Sequence, residues 1–144
     1  MQINQSATQT RVSQEVYINQ MLHKYELENT KPKKMPIDPN KSHQKATSIA
    51  PKDLLKTYQK KVRSLVYLAR KSRPDVSFPS NFLARYMSNP DMAHIESVNH
   101  LMSYLKDTKK MHYQYTKNLE SLKVTGFMDS DHAGYNNTRR STTS

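Results

Sequence analysis

The chain has no cysteine and no tryptophan, only two glycines, and no long apolar run. Without cysteine there is no disulfide, no thiolate nucleophile and no Cys-ligated zinc. Gly126 and Gly134 alone cannot make a glycine-rich phosphate loop. No stretch approaches the roughly 20 apolar residues of a membrane span, and the polar start from Met1 to Thr10 lacks the apolar segment of a secretory signal. The expectation is a soluble, intracellular protein of cytoplasm or nucleus, with no membrane partner and no small-molecule substrate. No Asp-Asp pair occurs anywhere in the chain. The histidines form no His-Glu-x-x-His motif, so that metalloprotease pattern is absent too.

Acid is scarce as well. Twelve Asp and Glu face 23 Lys and Arg, for a formal net charge of +11. Such an excess attracts polyanions, nucleic acid first among them, although a merely solvated basic surface would look the same. Only 35% of the 144 residues are hydrophobic, and the mean hydropathy is −0.91. A core this thin suits a domain that leans on a partner, or a piece of something larger. Nine tyrosines and clear apolar stripes argue against disorder.

Apolar periodicity places the elements. Ile3 and Val12 flank a polar turn and suggest a short N-terminal hairpin. Ser13 is a candidate N-cap for a helix over about 14–26, whose stripe is Tyr17, Ile18, Met21, Leu22 and Tyr25. Residues 28–51 carry Pro32, Pro36, Pro39, Pro51 and the basic run Lys31 to Lys34. Proline at that density forbids regular helix, and a connector this long is either functional or mobile. A basic amphipathic helix follows over about 53–72, apolar through Leu54, Leu55, Tyr58, Val62, Leu65, Val66, Leu68 and Ala69. Its cations either solvate a core helix or lie along phosphates, with Lys60, Lys61, Arg63, Arg70, Lys71 and Arg73 the candidate nucleic-acid contacts.

Arg73-Pro74-Asp75 breaks that helix and starts another, in which Pro79 predicts a kink or a late start. After the turn Asn89-Pro90-Asp91, Met92, Ile95, Val98, Leu101, Met102 and Leu105 mark a helix over 92–107. Residues 112–116 and 121–128 read as two strands. The expected fold is α+β and mainly helical, with three amphipathic helices, the hairpin and a C-terminal strand pair.

Several segments together resemble the copia-type retrotransposon polyprotein. They are Gln14-Glu15-Val16-Tyr17-Ile18 with Met21-Leu22, Met35-Pro36-Ile37, and Arg63-Ser64-Leu65-Val66-Tyr67-Leu68-Ala69 followed by Ser72-Arg73-Pro74-Asp75-Val76. Asn89-Pro90 with His94, then Tyr104-Leu105-Lys106-Asp107-Thr108, continue the series. Met128-Asp129-Ser130-Asp131-His132-Ala133-Gly134 and Arg139-Arg140-Ser141-Thr142-Thr143-Ser144 complete it. Each match is weak alone; their shared order and spacing carry the resemblance. There are departures: Arg63, Asp107 and Ser144 stand where the family has glycine, and Ile95 and His132 where it has tryptophan.

The resemblance implies a segment joining reverse transcriptase to RNase H. Residues 1–27 would close the polymerase palm and thumb, 28–51 connect, 52–110 form a helical thumb and connection, and 111–144 begin a truncated RNase H-like sheet. It also implies that the polymerase aspartates precede Met1 and that most RNase H carboxylates follow Ser144. Asp129 matches the first RNase H carboxylate, a vestigial ligand position for the Mg²⁺ of the intact parent, with Asp131 two residues on. No cofactor is expected for the chain itself. His94 reads as a packing or capping residue. The leading expectation is thus a non-catalytic fragment, and the alternative a basic module that binds an RNA–DNA hybrid or DNA through residues 53–73. An active nuclease is disfavoured, because two-metal chemistry needs a clamp of several carboxylates.

Overall fold

β1 (Gln2–Gln5) and β2 (Gln9–Ser13) form an antiparallel hairpin, with Ile3 opposite Val12. Its turn is closed by Ser6, whose backbone N–H donates to the Gln9 carbonyl at 2.8 Å and whose Oγ accepts from Gln9 N–H at 3.1 Å. This computed structural model describes residues 1–117 apart from 40, 42 and 45. The expected strand 121–128 and the family-like tail, Asp129, Asp131 and His132 included, lie outside the described residues. The other expected C-terminal strand is present as β3 (Tyr113–Thr116), and it pairs antiparallel with β2, Thr10 opposite Tyr115. Chain start and residue 116 therefore share one three-stranded sheet, a long-range closure that local periodicity does not encode.

Among the described residues four α-helices make the body: α1 (Glu15–Lys24), α2 (Lys52–Lys71), α3 (Ser77–Ala84) and α4 (Met92–Asp107). Ser13 is not the cap of α1. It ends β2, and Gln14 takes the N-cap position without a side-chain cap hydrogen bond. At the other end Glu26 adopts φ 57°. Its N–H reaches the His23 carbonyl and that of Leu27 the Leu22 carbonyl, which is a Schellman closure. Glycine usually fills that left-handed position, but both glycines of the chain fall after residue 117, so a glutamate carries the strain. Pro79 produces a late start: a 3-10 turn at Pro74–Val76 precedes α3, and Pro79 lies in its first turn, where no intrahelical N–H is required. Asp91 caps α4 in a reciprocal box, Oδ1 accepting from His94 N–H at 3.0 Å while His94 Nδ1 accepts from Asp91 N–H at 3.1 Å.

The core is one cluster drawn from every helix: Ile18, Met21 and Leu22 of α1, Tyr58, Val62, Leu65 and Leu68 of α2, Leu83 of α3, and Val98, Leu101, Met102 and Leu105 of α4. The proline-rich connector is pinned, not loose. It runs antiparallel along α4: Lys106 Nζ donates to Thr30 O at 2.7 Å, the His100 ring contacts Met35 O at 2.9 Å, and Lys41 pairs with Glu96 at 2.6 Å. His43 then reaches Ser97 Oγ at 2.7 Å, and Asn89 holds Ser48 and Ala50 by two further hydrogen bonds. Two of its backbone carbonyls, Thr30 and Met35, are thus taken up by side chains of the helix it covers.

Arg73 ties these parts together. It is 2% exposed, and its guanidinium makes a two-pronged pair with Asp75 at 2.9 and 2.7 Å. The same group donates to the carbonyl and hydroxyl of Thr108, the C-cap of α4, at 3.0 and 2.7 Å. Tyr104 hydroxyl donates to Asp75 Oδ2 at 2.9 Å, and the neighbouring Ser72 donates to Gln14 Oε1 at 2.7 Å. Burial alone would raise the Asp75 pKa, but hydrogen bonds and charge from Arg73, with the Tyr104 hydroxyl, outweigh it and hold the carboxyl below its ordinary 3.8. A depressed carboxylate stabilises the fold above that ordinary value and loses its contribution as pH falls below it. Asp75→Asn should therefore cost about 3 kcal/mol at neutral pH by leaving a buried guanidinium underpaired. In urea unfolding followed against pH, the gap to the parent chain should narrow below pH 3.8.

Candidate nucleic-acid interface

α2 has two faces with opposite tasks. Positions 58, 62, 65 and 68 point into the core. Opposite them, at spacings of three and four, lie Lys52, Lys56, Lys60, Arg63, Tyr67, Arg70 and Lys71, all exposed. At 1.5 Å per residue this row extends about 28 Å. None of its six cations makes an ion pair among the described residues. Asp53 is the one acidic residue of the helix.

The six candidate contacts thus separate. Lys60, Arg63, Arg70 and Lys71 are exposed on this row. Lys61 and Arg73 are turned inward and are committed to the protein itself. Lys61 is 7% exposed, donates to Asn99 Oδ1 at 2.7 Å and sits 5.2 Å over the Tyr25 ring. Burial lowers its pKa from the ordinary 10.5. The sequence gives Lys60 and Lys61 the same chemistry; one step of about 100° around the helix puts one in water and the other in the core. Lys52 and Lys56 lengthen the exposed row, and counting back by four from Lys60 would have found them.

Elsewhere the titratable groups serve packing. His94 is fully buried, 4.0 Å from the Tyr86 ring and 5.6 Å from His43. Its Nδ1 also lies 2.6 Å from Asp91 Oδ1, a contact that would favour a charged ring. Burial outweighs it and lowers the His94 pKa. A groove of about 350 Å³ separates the connector from α4, lined by Lys31, Lys33, Ile37, Leu83 and His100 among others. Among the described residues no group of three or more His, Asp or Glu is placed to hold a metal ion. Among the same residues no helix is long and apolar enough to cross a membrane.

Comparison with known proteins gives this basic helical unit its kinship. A putative transposon Ty5-1 protein of Saccharomyces cerevisiae is 29% identical over 88% of the chain. An uncharacterized mitochondrial protein of Arabidopsis thaliana is 33% identical over 92% of the chain. The retrovirus-related Pol polyprotein from transposon TNT 1-94 of Nicotiana tabacum is 30% identical, again over 92%. The chain derives from a retrotransposon Pol polyprotein. It spans 40% and 53% of the first two relatives and 10% of the tobacco polyprotein. No family model matches it, and no solved structure does.

In this Pol-derived chain the division of α2 can be tested lysine by lysine. Lys61→Met should leave stability within about 1 kcal/mol of the parent or raise it, since a buried charge gives way to a side chain of similar volume. A lysine with a lowered folded pKa makes the fold gain stability as pH rises toward 10.5, and the Met variant should lose that gain. Lys60→Met, on the exposed face, should leave stability within about 0.5 kcal/mol of the parent, as chemical unfolding would reveal.

Proposed function

We propose that this chain is a non-catalytic, nucleic-acid-holding segment of a retrotransposon Pol polyprotein, and that the exposed row of α2 lies along the phosphates of an RNA–DNA hybrid. The observation that carries the reading is the row itself: six cations on one face of a helix whose other face is core, none of them in an ion pair among the described residues. Surface cations with acidic partners three or four residues away would be a solvated helix face; within α2 Asp53 is the one such neighbour, and Asp75, four residues after Lys71, is taken by Arg73. Residues 1–27 and 52–110 would serve as the thumb and connection region, with 28–51 strapped across them. In the intact parent this unit would hold template and primer between RNA-directed DNA polymerase and RNase H. The parent's metal chemistry would be supplied by carboxylates of which this chain offers Asp129 and Asp131, too few to clamp both the attacking and the leaving oxygen.

Fluorescence anisotropy with a labelled RNA–DNA hybrid, taken across salt, tests this directly. Each phosphate neutralised should contribute about 0.9 to the slope of log K against log salt for a duplex. Several contacts should therefore make affinity fall at least tenfold between 50 and 200 mM salt, as order-of-magnitude conditions. The triple variant Lys56→Glu, Lys60→Glu, Arg63→Glu should abolish binding without unfolding the chain, whereas Lys61→Met should retain it. Absence of binding at low salt, or indifference to the charge reversal, would overturn the reading. Cleavage of the RNA strand that needs Mg²⁺ and disappears in Asp129→Asn would overturn its non-catalytic part.

A further inference from the structure

Within the cationic row one position is not charged. Tyr67 stands where helical spacing would put another cation, with Arg63 four residues before it, Arg70 three after and Lys71 four after. It is 44% exposed. Its ring is braced from the side by Tyr17 of α1, centroids 5.2 Å apart at an interplanar angle of 60°. The bracing limits the rotamer freedom that an exposed aromatic would otherwise lose on stacking. An aromatic platform ringed by phosphate-binding cations is the arrangement that captures an unpaired base, because every base has a π-face and its own phosphates to be neutralised. A duplex offers no such face along its length, as its bases are already stacked on each other.

Among the described residues the two other exposed aromatic rings, Phe78 and Tyr115, lack this setting. Phe78 is 69% exposed, but its helical neighbours at three and four residues are Pro74, Asp75, Asn81 and Phe82, none of them cationic. Tyr115 lies on β3 opposite Thr10 and beside the Tyr113 ring, not on the α2 helix.

We infer that Tyr67, braced by Tyr17 and flanked by Arg63, Arg70 and Lys71, is a stacking site for an unpaired base, so that the α2 row prefers single-stranded nucleic acid or a duplex with a single-stranded overhang to a blunt duplex. This rests on the cationic row being a nucleic-acid surface, as argued above, and specifies which form of nucleic acid it takes. The stacked base would sit near the C-terminal third of α2, with the phosphates on its two sides reaching Arg63 and the Arg70–Lys71 pair.

The 144-residue chain can be titrated with three probes of equal phosphate count: a blunt RNA–DNA hybrid, a shorter hybrid whose overhang makes up the difference and carries 2-aminopurine, and a longer single strand carrying 2-aminopurine. The parent chain should bind the two probes with unpaired bases at least fivefold more tightly than the blunt hybrid, at matched salt, and should change the 2-aminopurine fluorescence. Tyr67→Ala should erase that preference and the fluorescence change. Tyr67→Phe keeps the ring and should behave as the parent, which separates stacking from any loss of folding. Equal affinity of the parent for blunt and unpaired probes, or a Tyr67→Ala variant that weakens all three probes alike, would overturn the inference while leaving the electrostatic reading intact. Failure of the parent to bind any probe, or binding untouched by reversal of Lys56, Lys60 and Arg63, would instead remove the electrostatic reading and this inference with it.

Discussion

A guanidinium with almost no exposure has to be satisfied where it lies, and in this protein that requirement organises the helices. Arg73 meets Asp75 on the 3-10 turn, and Thr108 at the end of α4. Ser72 beside it holds Gln14 at the start of α1. Removing one partner of a buried charge pair typically costs about 3–5 kcal/mol, which is comparable to the whole stability of a small domain. The cation also lies against the carbonyl end of α4, where the helix dipole favours positive charge. With the C-terminal end of α2 fixed in this way, the roll of α2 about its axis follows. Tyr58, Val62, Leu65 and Leu68 must face inward, and the lysine and arginine row opposite them must face water.

The second constraint is the connector. By lying along α4 it covers a helix that would otherwise present its own polar groups, and it uses them: Lys106, His100, Glu96 and Ser97 all bind connector atoms. Lys109 is occupied too, donating to Asn19 at 3.1 Å. Lys106 and Lys109 are thereby engaged with the protein, while the cations on the outer face of α2 form no ion pair among the described residues. Net charge of +11 says that a polyanion is attractive; the disposition of partners says which surface would meet it.

The helices were legible because each shows one apolar stripe at helical spacing, and α4 was bounded correctly by Asp91 and the Asn-Pro turn before it. Fold class followed from the same periodicity. Ser13 misled because a good capping residue next to a strand can serve the strand instead. Lys61 and Arg73 were illegible as core residues, since a lysine or arginine gives no local sign of whether a distant Asn99 or Thr108 will receive it. The closure of β3 onto β2 and the course of the connector are likewise products of contacts between residues far apart in sequence. The Ser-Arg-Pro-Asp motif supported kinship before its physical role was apparent: its arginine is the buried hub, its aspartate the counter-ion, and its proline starts the 3-10 turn.

The central claim is that one helix divides its cations between core and polyanion. Lysine acetylation followed by mass spectrometry, with and without an RNA–DNA hybrid at low salt, measures both halves at once. Lys61 should react slowly in either state, while Lys52, Lys56, Lys60 and Lys71 should react fast alone and slowly with the hybrid. A Lys61 that reacts as fast as Lys60 in the free protein, or hybrid protection confined to lysines outside α2, would contradict the account.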